Sequence, residues 1–300
     1  MNAVELEGIC KSFGKVQAVR DLHISIPTGV VYGFLGPNGA GKTTTIRMLM
    51  NILIPDAGRM SILGHPDASQ AKDRIGYMPE ERGLYSKMRV GDLLTYLGGI
   101  HAVGGRELKT RISSWLKRVG LGGSERRRVD ELSKGNQQKL QFVGTVLHEP
   151  ELLILDEPFA GLDPVNVELM RGLIGHYREQ GRTVIFSTHM MEQAERLCDR
   201  ILLINQGRKV ADGTLAELQS RDEVRLVAIA SEDDLDFVES LPMVQRVERN
   251  GRVWDVVLAD EHTPQQLLEA LVPRARLTRF EVRQASLAEI FIHLVGQCDA

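Results

Sequence analysis

Nine consecutive residues narrow the possible folds of this chain more than any other feature. Gly36 to Thr44 read Gly-Pro-Asn-Gly-Ala-Gly-Lys-Thr-Thr and follow the apolar run Val30-Val31-Tyr32-Gly33-Phe34-Leu35. The frame Gly36-x-x-x-x-Gly41-Lys42-Thr43 is the P-loop pattern, a strand-to-helix turn that holds a polyphosphate. Glycines let the backbone take φ values that other residues resist. Successive N–H groups and the N-terminus of the following helix then face the anion. Gly36, Pro37, Asn38, Gly39, Ala40, Gly41, Lys42, Thr43 and Thr44 are therefore candidate nucleotide contacts. Lys42 is expected to reach the β- and γ-phosphates and Thr43 to ligate Mg²⁺. A glycine-rich turn without a ligand needs no companion motifs downstream, and this chain has several.

Leu152-Leu153-Ile154-Leu155-Asp156-Glu157-Pro158 is a short apolar run ending in two carboxylates. Such a run suits a parallel strand buried on both faces. Ligands of open α/β sheets collect at the carboxyl ends of strands, which brings Asp156 and Glu157 to the phosphates. Asp156 fits the role of Mg²⁺ holder, and Glu157 that of general base toward water. Between the two motifs, Leu132-Ser133-Lys134-Gly135-Asn136-Gln137 opens a helical pattern at Leu140, Val143, Val146 and Leu147. A Ser-x-Gly turn at a helix start is a second anion-binding device, or simply a capped surface helix. Gly161-Leu162-Asp163-Pro164 and Ser187-Thr188-His189 follow.

In this order the motifs resemble the nucleotide-binding domain of ABC ATPases over roughly residues 3 to 215, with boundaries good to a few residues. The resemblance implies an α/β P-loop NTPase domain at 1–218 with an antiparallel β edge subdomain and a helical signature subdomain at about 85–148. It also implies a set of roles. Phe13, in Lys11-Ser12-Phe13-Gly14, stacks on adenine, although one Phe before a Gly also serves in a core. Ser133 and Gly135 contact the γ-phosphate held by a second copy of the chain, and Asp163 links the two sites. His189 hydrogen-bonds the γ-phosphate, joining Lys42 and Glu157 as catalytic residues. Thr43, Asp156 and Glu80 form the metal set, with ATP and Mg²⁺ as cofactors.

Two positions depart from the common family pattern. Glu80 follows Ile75-Gly76-Tyr77-Met78-Pro79 where the family has Gln, and the signature carries Lys134 and Asn136 where Gly and Gln are usual. A carboxylate ligates Mg²⁺ but donates no hydrogen bond, and it adds negative charge beside a polyphosphate. The expectation is that Glu80 and Lys134 offset one another when two copies close; an alternative is that Lys134 is simply a solvated side chain. This Glu/Lys/Asn pattern resembles a branch of bacterial export-type ABC ATPases that includes sodium and antibiotic efflux subunits.

The 300 residues suffice for one sizeable domain and a small second one. A net charge of −3 argues against nucleic-acid binding by bulk electrostatics. Cys10, Cys198 and Cys298 are far apart, which suits a reducing compartment. No apolar stretch approaches the ~20 residues that span a bilayer, and the N-terminus lacks the design of a signal peptide. The expectation is a soluble chain, peripheral on the inner face of the cell membrane, whose permease is a separate polypeptide.

Residues 219–300 change in texture. Val224 to Ile229 reads as a strand and Asp233 to Ser240 as a short helix. Two strands flank Asn250-Gly251, a hairpin signal, and Thr263 caps a helix. Leu277 to Val282 and Ser286 to Val295 read as a last strand and helix. The order βαββαβ predicts a small α+β, ferredoxin-like accessory domain for dimer support or regulation. The resulting expectation is an ATP-hydrolysing subunit that pairs with a second copy of itself to drive an export permease. The rival is a non-transport ABC ATPase acting on ribosomes, DNA repair or iron–sulfur assembly. A third reading makes the C-terminal domain a sensor of a small ligand, without turnover.

Overall fold

The computed structural model describes residues 1–66, 68–81, 83–221, 226–259 and 262–298. Arg82 in the segment after Glu80, and Val224 and Arg225 in the expected strand, lie outside the described residues. The chain divides into two compact units, Met1–Thr214 and Leu215–Ala300.

In the first unit, β1 (Asn2–Phe13) and β2 (Val16–Pro27) pair antiparallel. Leu22, Ile24 and Ile26 are buried while His23 and Ser25 are exposed, the period of two that one wet face requires. The chain then enters β3 (Val31–Leu35), buried at every residue, and passes through the glycine-rich turn into α1 (Lys42–Leu49). The following strand, β4 (Ala57–Ile62), returns to the far side of β1 and completes a three-stranded sheet in the order β2-β1-β4.

Next come β5 (Ile75–Met78) and three helices, α2 (Val90–Ile100), α3 (Gly105–Arg118) and α4 (Lys134–Val146). They are followed by β6 (Leu152–Asp156), α5 (Pro164–Glu179), β7 (Thr183–Thr188), α6 (Met191–Leu197), β8 (Arg200–Asn205) and β9 (Arg208–Gly213). The six-stranded sheet runs β5-β6-β7-β3-β8-β9, parallel except for β9. Strands β3, β6 and β7 expose none of their residues, as expected where both faces of a parallel sheet are covered. One core cluster joins Leu22, Ile24 and Ile26 of the antiparallel sheet to Tyr32, Phe34, Ile154 and Ile185 of the parallel one.

A polar contact inside this unit gives the protein an acid-sensitive element. His101, which caps the C-terminus of α2, stacks on His148 just beyond α4, with ring centroids 3.7 Å apart and planes 6° from parallel. Burial, with the neighbouring imidazole second, pushes His148 down to about 4. The folded chain therefore keeps this ring neutral, whereas the unfolded chain takes up a proton below about pH 6.5. Its stabilising effect is complete above about pH 6.5 and is lost as the pH falls toward 4. Denaturant unfolding at pH 7 and pH 5 is expected to show His148→Gln losing about 1 kcal/mol less than wild type, a figure already reduced for partial exposure. Parallel losses in both proteins would count against it.

The second unit opens with α7 (Leu215–Arg221), followed by β10 (Leu226–Ser231), β11 (Val244–Asn250), β12 (Val253–Leu258), α8 (Pro264–Leu271), β13 (Leu277–Arg283) and α9 (Leu287–Cys298). Its antiparallel sheet has the order β11-β12-β10-β13, the ferredoxin-like arrangement of a βαββαβ chain. The first crossover differs from expectation, being a 3₁₀ stretch at Asp236–Ser240 rather than an α-helix. Its buried anchors, Leu235, Val238 and Leu241, recur every three residues, which is the 3₁₀ period. Asn250 pairs with Val253, so the hairpin loop is Gly251-Arg252, with Gly251 at φ 65°. Thr263 and Gln266 cap α8 reciprocally. Among the described residues, no helix is long and apolar enough to cross a membrane.

Candidate functional site

Register sets the site. Leu35 of β3 pairs with Thr188 of β7, and Asp156 of β6 pairs with Ser187, so three parallel strands end together. The loop leaving β3 is crowded. A Cβ on Gly36 would stand 2.1 Å from the Ile204 carbonyl oxygen. One on Gly41, at φ 107°, would stand 2.4 Å from that of Ala18. Only glycine fits either place. Gly41 is the N-cap of α1 and supplies no side chain, so no capping oxygen competes for the first-turn N–H groups.

The charged groups converge on this end. Lys42 is only 6% exposed; its Nζ donates to the carbonyls of Gly36 (2.7 Å) and Pro37 (3.2 Å) and lies 3.6 Å from Glu157 Oε1. Thr43 Oγ1 donates to Asp156 Oδ1 at 3.1 Å. Glu157 Oε2 is 3.1 Å from His189 Nδ1, so one buried carboxylate stands between an ammonium and an imidazole. Its backbone sits at φ 49°, a left-handed value uncommon for a side-chain-bearing residue and found where surroundings over-determine the geometry. The Glu157 N–H donates to Ser187 Oγ (2.9 Å), which donates in turn to Asp156 Oδ1 (2.5 Å). Ser187 thus ties both carboxylates to β7. Sequence reasoning gave it no role, because its importance depends on β6 and β7 being neighbours.

Asp156 Oδ2 is buried without a protein partner. Buried carboxylate oxygens are normally satisfied, and an open one beside a threonine hydroxyl suits a hard cation that takes few protein ligands. Among the described residues no cluster of three or more His, Cys, Asp or Glu could hold a metal, so any ion here would rely on other oxygens as well. The residues present fit Mg²⁺.

The cleft above these groups measures about 330 Å³ and is lined by Ala18, Asn38 to Thr44, Glu80 and Glu157. A larger groove of about 650 Å³ runs along α5 beside Arg118, Val165 and Leu173. Its surface is almost wholly apolar and no residue of the glycine-rich turn lines it, so the chemistry belongs to the smaller cleft.

Not every expected residue meets there. Ser133 caps α4, its Oγ accepting from the Asn136 N–H at 3.3 Å. Gly135 lies against Leu162 and Asn166. Asp163 caps α5 and accepts from the Asn166 N–H (3.0 Å) and side-chain amide (2.6 Å), with the backbone bond first among the causes that lower its pKa. Ser133, Gly135 and Asp163 therefore form a second group outside the phosphate cleft. Phe13 ends β1 at 49% exposure, with Lys11 Nζ 5.7 Å from its ring centroid. That exposure removes core packing as its role.

Residues 19–160 match the family model described as ABC transporter, and residues 213–295 match the C-terminal domain of the ATP-binding protein DrrA1-3-like family. The ABC transporter ATP-binding protein YhaQ of Bacillus subtilis is 40% identical over 97% of this chain and 98% of its own. The Nod factor export ATP-binding protein I of a Rhizobium strain is 35% identical over 98% of this chain and 97% of its own. A solved ATP-binding subunit of an ABC transporter has a TM-score of 0.68 at 27% identity, covering 73% of this chain and 92% of that one. Given that identity over nearly the full length, and a nucleotide cleft built from the matching motifs, the chain belongs to the ABC transporter ATP-binding proteins and is an ATPase.

Proposed function

We propose that this ATPase works as a pair of identical subunits that enclose two ATP molecules and drive a separate membrane permease in the export direction. The observation that carries the reading is the division of the site into two groups. Lys42, Thr43, Asp156, Glu157 and His189 converge on one cleft, while Ser133, Gly135 and Asp163 form a separate cluster at the N-termini of α4 and α5. A second copy supplying Ser133 and Gly135 would complete each cleft.

Each residue then has a defined task. Phe13 offers its exposed ring to the adenine. Asn38 to Thr44 line the cleft, and Lys42 brings a buried ammonium to the phosphates. Thr43 and Asp156, with Glu80 as a further oxygen donor, would hold Mg²⁺, which supplies charge neutralisation on the β- and γ-phosphates. Glu157 takes a proton from the attacking water as its oxygen bonds to the γ-phosphorus and the bridging bond to the β-phosphate breaks. His189, bonded to Glu157, steadies that carboxylate and faces the γ-phosphate. Lys134 would meet Glu80 of the other copy and offset its charge. Closure is favoured only to the extent that ATP binds the closed pair more tightly.

Support for export comes from the Glu80, Lys134 and Asn136 pattern and from the Nod factor export relative. The C-terminal unit would then support the dimer or regulate it, and the assembly would sit on the inner face of the cell membrane. An affinity-tagged copy expressed in its native host is expected to be recovered in the membrane fraction together with a multi-helix membrane protein identified by mass spectrometry. Recovery with ribosomes or DNA, and none with the membrane protein, would overturn the transport reading.

A further inference from the structure

We infer that Gln141 is a positioning residue that holds Glu80 over the phosphate cleft and ties it to the helix opened by Ser133. The inference rests on the proposed role of Glu80 at that cleft.

Strand β5 is an edge of the six-stranded sheet, so the carbonyls on its free side need partners from elsewhere. Helix α4 and the residues just beyond it supply them. Gln141 Nε2 donates to the carbonyls of Pro79 (2.8 Å) and Glu81 (3.3 Å). Thr145 Oγ1 lies 3.4 Å from the Tyr77 carbonyl, and His148 Nε2 3.1 Å from that of Ile75. The acceptors at 75 and 77 are alternate residues of β5, and 79 continues that spacing one residue past its end; the donors at 141 and 145 share one face of α4, and 148 follows two residues beyond it. Two residues of extended chain advance about 6.6 Å and the four helix residues from 141 to 145 about 6 Å, so these two rungs stay in step.

The rungs are unequal. Thr145 has one hydroxyl proton, and its nearer acceptor is the Gln141 carbonyl at 2.9 Å. Gln141 has two amide protons and uses them on the carbonyls of Pro79 and Glu81, the residues on either side of Glu80. Its amide therefore grips the backbone on both sides of a residue whose own side chain is exposed. The reverse orientation would aim Oε1 at two carbonyl oxygens, so only this one is chemically acceptable. Gln141 is 6% exposed and its Oε1 has no partner. A residue present only to fill space would avoid that desolvation cost.

Gln141 also lies eight residues beyond Ser133 on the same helix, about 12 Å along its axis. Glu80 and Ser133 are thereby fixed to one rigid element, whereas Lys42, Thr43 and Asp156 sit on others. Loss of the amide is expected to loosen Glu80 and leave those three in place.

The test is a double-mutant cycle on nucleotide binding, with Glu157→Gln in every chain to stop turnover. Gln141→Met, similar in length but with no donor, is expected to weaken ATP binding about fivefold in the presence of Mg²⁺, the scale of a lost hydrogen bond, and ADP binding less than about twofold. In a Glu80→Ala background the same change is expected to alter ATP binding less than about twofold. Equal weakening with and without Glu80, equal loss for ATP and ADP, or no loss at all would overturn the inference. If thermal unfolding shows that Gln141→Met is not folded, Gln141→Asn, whose amide falls one methylene short, is read by the same cycle. Should the nucleotide site itself be misassigned, Lys42→Ala would leave ATP binding intact. A failure confined to Gln141 leaves the Lys42→Ala loss in place.

Discussion

Glu157→Gln is expected to lower ATP hydrolysis by about 10²- to 10⁴-fold, the range for loss of a general base, while ATP remains bound. The amide matches the carboxylate in shape but accepts no proton from water. It also removes a negative charge from a cleft meant for a polyphosphate, so ATP affinity is expected to hold or rise. Glu157 is buried between Lys42 and His189, and its backbone N–H is held by Ser187, so the substitution leaves the left-handed turn supported. With hydrolysis stopped, the closed pair accumulates. Size-exclusion chromatography is expected to show a dimer with ATP and a monomer without nucleotide. A variant that stays monomeric with saturating ATP would sink the two-copy model, and one that still turns over at the wild-type rate would remove Glu157 as the base.

Lys42→Ala has the second large expected effect. The ammonium is buried against two carbonyls of the loop and beside Glu157. Its loss takes a cation from the phosphates and leaves the Glu157 carboxylate facing them with less compensation. Charge-assisted hydrogen bonds contribute roughly 1.5–3 kcal/mol each, so ATP affinity is expected to fall about 100-fold. Titration calorimetry checks it, with thermal unfolding alongside because Gly36 and Pro37 lose their donor. Unchanged affinity in a folded variant would mean that Gly36 to Thr44 do not cradle phosphate.

Much of this molecule was legible from local pattern. The apolar runs at 30–35, 152–155 and 184–187 have the composition of strands covered on both faces, and β3, β6 and β7 are those strands. Thr263 and Gln266 have the spacing of a capping box and form one. The segment at 233–240 was harder, because a few buried anchors three apart suit a short α-helix nearly as well as a 3₁₀ turn. At the hairpin, Asn250-Gly251 marks the turn, but the loop residues follow from which cross-strand pair closes it.

The candidate site divides along the same line. Gly36, Gly41, Lys42, Thr43, Asp156, Glu157 and His189 stand in short motifs whose residue types declare an anion, a cation and a base, so the sequence alone determined what chemistry the chain is equipped for. The tertiary structure alone decided how those groups are held. Ser187 serves Asp156 and Glu157 because β7 lies beside β6, and Gln141 grips the peptides around Glu80 because β5 is an edge strand. Strand order and edge status are set by which elements pack together over long separations in the chain, and no local periodicity encodes them.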